Sequence, residues 1–165
     1  MKAIVAVDSK WGIGKNNDLL FSIPEDMKFF RETTKGKVVV MGANTLRSFP
    51  NGSPLKNRVN IVLSSKIQRD DCIVVESVEN LLDEIKKYPE DQVYLIGGAR
   101  LYKTLLPYCT EALVTKVFAD GDATVFFENL DELKEWTLQE SSDIIESNGY
   151  KISFTTYKNS LVKEL

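Results

Sequence analysis

The sequence predicts a single α/β domain built on a mixed, mostly parallel sheet, and three observations carry that reading. First, short apolar runs of strand length recur with turn signals between them, at residues 3–7, 38–41, 59–63, 73–75 and 93–96. They are continuous rather than alternating, the pattern of strands covered on both faces. Second, helical patterns fall between them. Ser77 is placed to cap a helix over 78–88 with Leu81, Leu82 and Ile85 on one face. A second helix, over 99–106, follows a glycine pair and stops at Pro107. Third, the end of the chain changes style. Segments 136–142 and 150–158 flank Asn148-Gly149, a favoured hairpin turn. Tyr150, Ile152 and Phe154 alternate with Lys151, Ser153 and Thr155, so this last segment reads as an antiparallel strand added at the sheet's edge.

The 165 residues make one domain, expected over 1–159, with a tail over 160–165 that is amphipathic at best and expected to be flexible. The chain has no histidine, which excludes a Ser-His-Asp triad, a Cys-His pair and any His-ligated metal. Its two cysteines, Cys72 and Cys109, form no CxxC pattern, so no zinc cage or disulfide framework is expected. Both sit beside apolar residues and read as buried thiols in a reducing compartment. The opening apolar run is too short for a signal peptide, and no stretch approaches the ~18 residues of a membrane span. A net charge of −3 gives no general attraction to nucleic acid. The expectation is a cytoplasmic protein without metal, membrane or nucleic-acid partners. Its chemistry must rest on carboxylates, hydroxyls, backbone amides or a borrowed cofactor.

The segment 22–35 is the most informative. Ser22 and Glu25 have capping-box spacing, and Pro24 suits a first turn. On a wheel of about 100° per residue, Lys28, Arg31, Glu32 and Lys35 gather on one side. Met27, Phe29, Phe30 and Thr33 gather on the other, and Asp26 falls among them, next to Phe30 and Thr33. Two readings fit. Asp26 helps cap the helix, as first-turn acids do. Alternatively it is a desolvated acid facing an apolar pocket, able to pair with a planar ligand edge that offers two N–H donors.

Two strand–glycine–helix junctions follow. Ile96-Gly97-Gly98-Ala99-Arg100 leaves a strand and opens a helix, and Val40-Met41-Gly42-Ala43-Asn44-Thr45 repeats the arrangement with a capping-type residue after the glycine. A third strand ends in Leu63-Ser64-Ser65-Lys66, with hydroxyls and a cation. Each can be an ordinary turn. Together, at successive strand ends, they fit a nucleotide laid across the sheet's carboxyl edge. None is a P-loop or a GxGxxG fingerprint.

These residues also match a known pattern. Val7-Asp8 with Trp11-Gly12-Ile13-Gly14, Pro24-Glu25-Asp26, Val40-Met41-Gly42 with Thr45, Ser48-Phe49-Pro50, Leu55 with Arg58, 60–64, Ile96-Gly97-Gly98 and Leu113-Val114-Thr115 occur in order along nearly the whole chain. In them the chain resembles dihydrofolate reductase of the bacterial chromosomal type. The resemblance implies a central eight-stranded, mostly parallel sheet. It implies NADPH-dependent reduction of 7,8-dihydrofolate to 5,6,7,8-tetrahydrofolate, with hydride reaching pterin C6 and a proton reaching N5, in support of one-carbon metabolism. It further implies a monomer that binds dihydrofolate and antifolate inhibitors.

Residue by residue, the resemblance makes Asp26 the pterin-binding acid and Thr115 its bridging hydroxyl, with Leu19 and Phe21 contributing at the catalytic centre. Ile4, Val5, Ala6, Met27, Phe30, Phe49, Leu55, Ile96 and Tyr102 resemble the substrate pocket, and Arg58 the grip on the glutamate tail's α-carboxylate. Ala6, Ile13, Gly14, Asn17, Leu19, Gly42, Ala43, Asn44, Thr45, Leu63, Ser64, Ser65, Lys66, Ile96, Gly97, Gly98, Ala99, Arg100, Leu101, Tyr102 and Thr124 fall at cofactor positions. Residues 14–20 resemble a mobile loop that closes over the nicotinamide.

The chain also departs from the family. Leu20-Phe21 stands where a tryptophan usually follows a proline, and Phe lacks the indole N–H that would hold a water near the acid. Ala43 replaces a common basic residue, so selection for the 2′-phosphate passes to Ser65, Lys66 and Arg100. Around Asp122-Ala123-Thr124 the family's acid-Thr pair can be matched in two ways, one residue apart. Two other readings compete with the folate one: a same-fold reductase of a riboflavin-pathway pyrimidine, and a nucleotide-binding regulatory module. Asp26, Leu55 and Arg58 favour the folate version over the first, and an acid on an apolar face has no purpose in the second.

Overall fold

A computed structural model describes residues 1–16 and 18–165; Asn17, expected at the cofactor site, lies outside the described residues. In chain order the elements are β1 (Lys2–Val7), β2 (Gly12–Gly14), α1 (Pro24–Thr34), β3 (Val38–Gly42), α2 (Ala43–Ser48), β4 (Val59–Leu63), β5 (Ile73–Val75), α3 (Val78–Ile85), β6 (Val93–Gly97), α4 (Ala99–Leu105), β7 (Glu111–Val117), β8 (Val125–Phe126), β9 (Trp136–Ser141), β10 (Ile145–Ser147) and β11 (Tyr150–Asn159). The main sheet runs β10-β11-β7-β1-β6-β3-β4-β5, with β9 also on β11. The six strands from β7 to β5 are parallel, and β11 joins β7 antiparallel. Nine strands occupy eight positions, because β10 and β9 lie end to end along one edge of β11.

The continuous apolar runs became the sheet's interior. Val39, Val40, Met41, Ile61, Val62, Val93 and Leu95 are fully enclosed. Each such side chain contributes roughly 1.5–3 kcal/mol by leaving water. Ser77 caps α3, its Oγ accepting from the Asn80 amide at 3.1 Å, and Leu81 and Ile85 are buried. The helix stops at Ile85, three residues short of the expected Tyr88. Pro107 lies in a 3₁₀ turn, Leu106–Tyr108, that follows α4.

Three expectations are corrected. The turn at Asn148-Gly149 joins β10 to β11, not 136–142 to β11; β9 pairs with β11 farther along, from Thr155 to Asn159, with a register shift between Thr156 and Tyr157. β11 is therefore not the edge: it is flanked on both sides, and Ser153 and Thr155 are as buried as Ile152. The Ser22–Glu25 capping box does not form. Ile23 is the N-cap, and the Glu25 amide donates instead to Ser147 Oγ at 3.3 Å, from the hairpin. Asn148 Nδ2 donates to the Ser22 carbonyl at 2.7 Å, so the hairpin clamps the start of α1.

Cys109 is buried, its thiol pushed up to about 12 by desolvation, whereas Cys72 is only half-buried. Beyond 159, the Ser160 amide donates to the Glu135 carbonyl at 2.8 Å, the Lys163 amide to the Pro107 carbonyl at 2.9 Å, and Leu165 packs against the core. Among the described residues, no helix is long and apolar enough to cross a membrane.

Candidate active site

Helix α1 meets the sheet at β7 through Asp26 and Thr115 and at β11 through Phe29 and Phe154. Thr115 on β7 is in register with Ala6 on β1 and with Phe154 on β11. Its hydroxyl donates to Asp26 Oδ1 at 2.7 Å. Asp26 therefore turns toward the sheet rather than toward the amides of its own helix. Burial raises its pKa above the ordinary carboxyl value, and the Thr115 hydrogen bond partly offsets that rise. A largely desolvated acid held by a threonine of the sheet is the feature the sequence could only pose as one of two readings.

The rest of α1 is little buried. Met27 is 55% exposed, Phe29 leans on Phe154 with ring centroids 4.7 Å apart, and Phe30 is half-buried. Only Thr34 on this helix is buried, and the wheel had not singled it out. It accepts from Arg58 Nε at 2.9 Å. Arg58 also lies over the Phe30 ring, 6.0 Å from its centroid, and donates to the Lys56 carbonyl at 3.0 Å. Burial, then neighbouring Arg31, lowers its pKa. Among the described residues no carboxylate pairs with it. Phe49, Leu55 and Ile96 pack on Met41, Leu46 and Val62. Tyr102 donates to the Ile4 carbonyl at 2.6 Å, which ties α4 to β1.

The carboxyl ends of β6, β3 and β4 lie side by side, which brings the three glycine and serine junctions together. Gly97 has φ +134, and a Cβ there would meet Thr45 Oγ1 at 3.1 Å and the Tyr102 ring at 3.6 Å. A Cβ on Gly42 would come within 4.0 Å of the Gly98 amide nitrogen. The two junctions are thus apposed, with bare backbone where a phosphate would need close approach. Asn44 does not cap α2: Gly42 is the N-cap, and Asn44 Oδ1 accepts from Arg47, a further cation at this junction. Ser64 Oγ accepts from the Lys66 and Ile67 amides, at 3.2 and 3.3 Å, leaving Ser65 and Lys66 exposed. Ala43 and Ala99 begin α2 and α4, Leu63 ends β4, Leu101 is buried and Arg100 exposed.

On the remaining rim, Ile13 and Gly14 belong to β2, which pairs with β8. The Thr124 amide donates to the Gly14 carbonyl at 2.9 Å, and Lys15 pairs with Asp122 at 2.8 Å. Leu19 is 76% exposed. Phe21 packs on Tyr150, ring centroids 4.8 Å apart, in a small cluster with Ile23, Val117 and Ile152. Helix α1 thus carries both the Asp26–Thr115 pair and the Phe30–Arg58 contact, while Phe21 is drawn into the cluster with Ile23, Val117 and Ile152.

With an acid–threonine pair beside α1 and apposed glycine junctions at the parallel strand ends, the comparisons place this α/β fold among the oxidoreductases. The dihydrofolate reductase family model matches residues 1–159. The chain is 37% identical to the dihydrofolate reductase of Bacillus subtilis over 159 residues, covering 94% of this chain and 92% of that protein. It is 34% identical to that of Haemophilus influenzae, covering 92% and 93%, and 32% identical to that of Staphylococcus haemolyticus, covering 94% and 93%. The chain belongs to the dihydrofolate reductase family.

Proposed function

We propose that the protein reduces 7,8-dihydrofolate to tetrahydrofolate with NADPH, acting as a monomer in the cytoplasm through the domain formed by residues 1–159. The Asp26–Thr115 pair in the groove is the single observation that carries this reading. An anionic Asp26 fits the pterin edge that presents two N–H donors, and Thr115 fixes the carboxylate's rotamer for that task. Phe30, Phe49 and Leu55 supply apolar walls for the ring and its linker, and the same groove suits antifolates that carry a similar donor edge.

The cofactor's place is supported by the bare backbone at Gly42, Gly97 and Gly98, which side chains would fill. Thr45, Ser64, Ser65 and Lys66 would hold phosphate groups, and Ile13, Gly14 and Leu19 would cover the nicotinamide end. Bound nicotinamide would supply the hydride; no side chain need act as a nucleophile. The chain's own work is to align the rings, exclude water and support protonation at N5. Asp26 grips the far edge of the pterin, so it favours that proton through the ring's electronics while water delivers it.

Following NADPH absorbance with dihydrofolate present tests the reading: rapid oxidation supports it, and binding without turnover rejects it. Among the described residues Arg58 has no carboxylate partner, so Arg58→Lys should raise KM for dihydrofolate by roughly 10–100-fold with kcat little changed, since a point charge loses the fork. Truncating the glutamate tail of the substrate should abolish that difference. Selection for the 2′-phosphate is assigned to Ser65 and Lys66. Lys66→Ala should lower the NADPH to NADH ratio of kcat/KM by about tenfold, a loss typical of one charge-assisted contact. An unchanged ratio would refute this assignment.

A further inference from the structure

We infer that the buried Asp8 carboxylate is a positioning residue that braces together the two loops of the cofactor rim, an inference that rests on the cofactor reading above. Asp8 follows β1 and is only 4% exposed, yet no cation pairs with it among the described residues. Its charge is met by backbone instead. Oδ1 accepts from the Lys10 amide at 2.9 Å and the Gly12 amide at 2.6 Å, and Oδ2 accepts from the Gly121 amide at 3.0 Å. One oxygen therefore shapes the turn that leads into Ile13 and Gly14. The other reaches across 113 positions of sequence to the loop that precedes β8.

The fit around this carboxylate leaves little freedom. A Cβ on Gly12 would fall 2.8 Å from both Asp8 oxygens and 2.3 Å from Ala123 Cβ. A Cβ on Gly121 would fall 2.9 Å from Leu20 Cδ1 and 3.0 Å from Phe21 Cζ. The brace thus extends through Gly121 to the residues just before α1, the helix that bears Asp26. The turn is held from its other side as well. Trp11 adopts φ 63, a conformation a bulky residue enters only when its surroundings impose it. Its indole is clamped by Phe127, ring centroids 6.3 Å apart, and by Tyr157, 5.8 Å away, with Lys116 Nζ 5.5 Å from the ring. The Phe127 amide donates to the Trp11 carbonyl at 2.8 Å, and the Ser9 amide to the Ala119 carbonyl at 3.0 Å. At the surface Lys10 pairs with Asp120 at 2.9 Å and Lys15 with Asp122 at 2.8 Å, across the same two loops; Asp8 adds the buried link, made to backbone amides on both sides.

Asp8→Asn isolates the cross-loop link. Asn keeps one oxygen for Lys10 and Gly12 but must present its NH2 to the Gly121 amide, donor against donor. Amide hydrogen exchange of the ligand-free protein should show the Gly12 and Gly121 amides protected in the natural sequence, and Gly121 exchanging about tenfold or more faster in Asp8→Asn. KM for NADPH should rise about tenfold while KM for dihydrofolate stays within about twofold, because the Asp26–Thr115 pair is untouched. A fall in kcat alone, with both KM values unmoved, would mark a loss of folded enzyme and overturn the inference. So would an unprotected Gly121 amide in the natural sequence, a measurement that needs no variant. If Asp8→Asn fails to fold, NADPH titration of the natural protein decides: protection at Gly12 and Gly121 must rise together, and independent responses reject the brace. If the natural protein does not oxidise NADPH with dihydrofolate, the functional reading fails, while the exchange data still judge the brace.

Discussion

Asp26→Asn should lower turnover of dihydrofolate by roughly 10²–10³-fold near neutral pH, the range expected when a positioned acid is removed from proton chemistry. Asn keeps the shape and can still accept from Thr115, so the loss reports the charge rather than the fold. With the anion gone, N5 must be protonated from solvent unaided, and the residual rate should climb as pH falls. Stability should move the opposite way. Burial raises the pKa of Asp26 from an ordinary value of 3.8. The folded protein therefore holds that proton more tightly than the unfolded chain does. Folded-state stability then declines as pH rises from the ordinary value through the raised one, and stays lower above it. Asn has no charge to desolvate and escapes this loss. The Tm of Asp26→Asn should exceed that of the natural protein near neutral pH, and the advantage should vanish in acid below the ordinary carboxyl range. A variant slower but no more stable would mean that the carboxylate is well solvated in the free protein. One that turned over normally would remove Asp26 from the site.

The features that made this acid legible were local. An aspartate among Met27, Phe30 and Thr33 breaks the helical pattern, and a wheel detects that without coordinates. The parallel strands were legible for a similar reason, since 38–41 and 93–96 carry no polar face at all. Thr115 was reached only through family resemblance, because nothing in a strand sequence says which residue across the sheet it faces. The errors fall where distant chain segments decide the outcome. The start of α1 carries its own capping signal at Ser22, yet Ser147 takes that role once the hairpin docks. Asn148-Gly149 was a sound turn signal, but which strand it serves depends on the register of β10 and β9 along β11. Thr34 and Asp8 went unassigned because each matters through a contact with a residue far away in sequence, Arg58 and Gly121. Helix amphipathicity is also an uncertain guide to burial: on the apolar face of α1, Met27 is 55% exposed and Phe30 half-buried.

Gly97→Ala should separate the cradle from the fold. Gly97 sits at φ +134, where any L side chain is strained, and its Cβ would press on Thr45 Oγ1 at 3.1 Å beneath the Tyr102 ring. Strain of this kind costs about 1–3 kcal/mol, enough to lower Tm by several degrees. Gly149 provides the control. It also has positive φ, at +81, but a Cβ there meets nothing within 4 Å. Gly149→Ala should lose a similar share of stability through the backbone alone and leave NADPH affinity where it was. Gly97→Ala should weaken NADPH binding by about 100-fold or more, because Thr45 and the backbone must both shift at the point where a phosphate approaches. Fluorescence titration of the two variants at matched folded fraction makes the comparison. Equal NADPH affinities would show that the strand-end glycines serve only chain geometry, and the nucleotide would have to bind elsewhere. A loss confined to Gly97→Ala would place the phosphates against β6 and β3, where two junctions meet with no side chain between them.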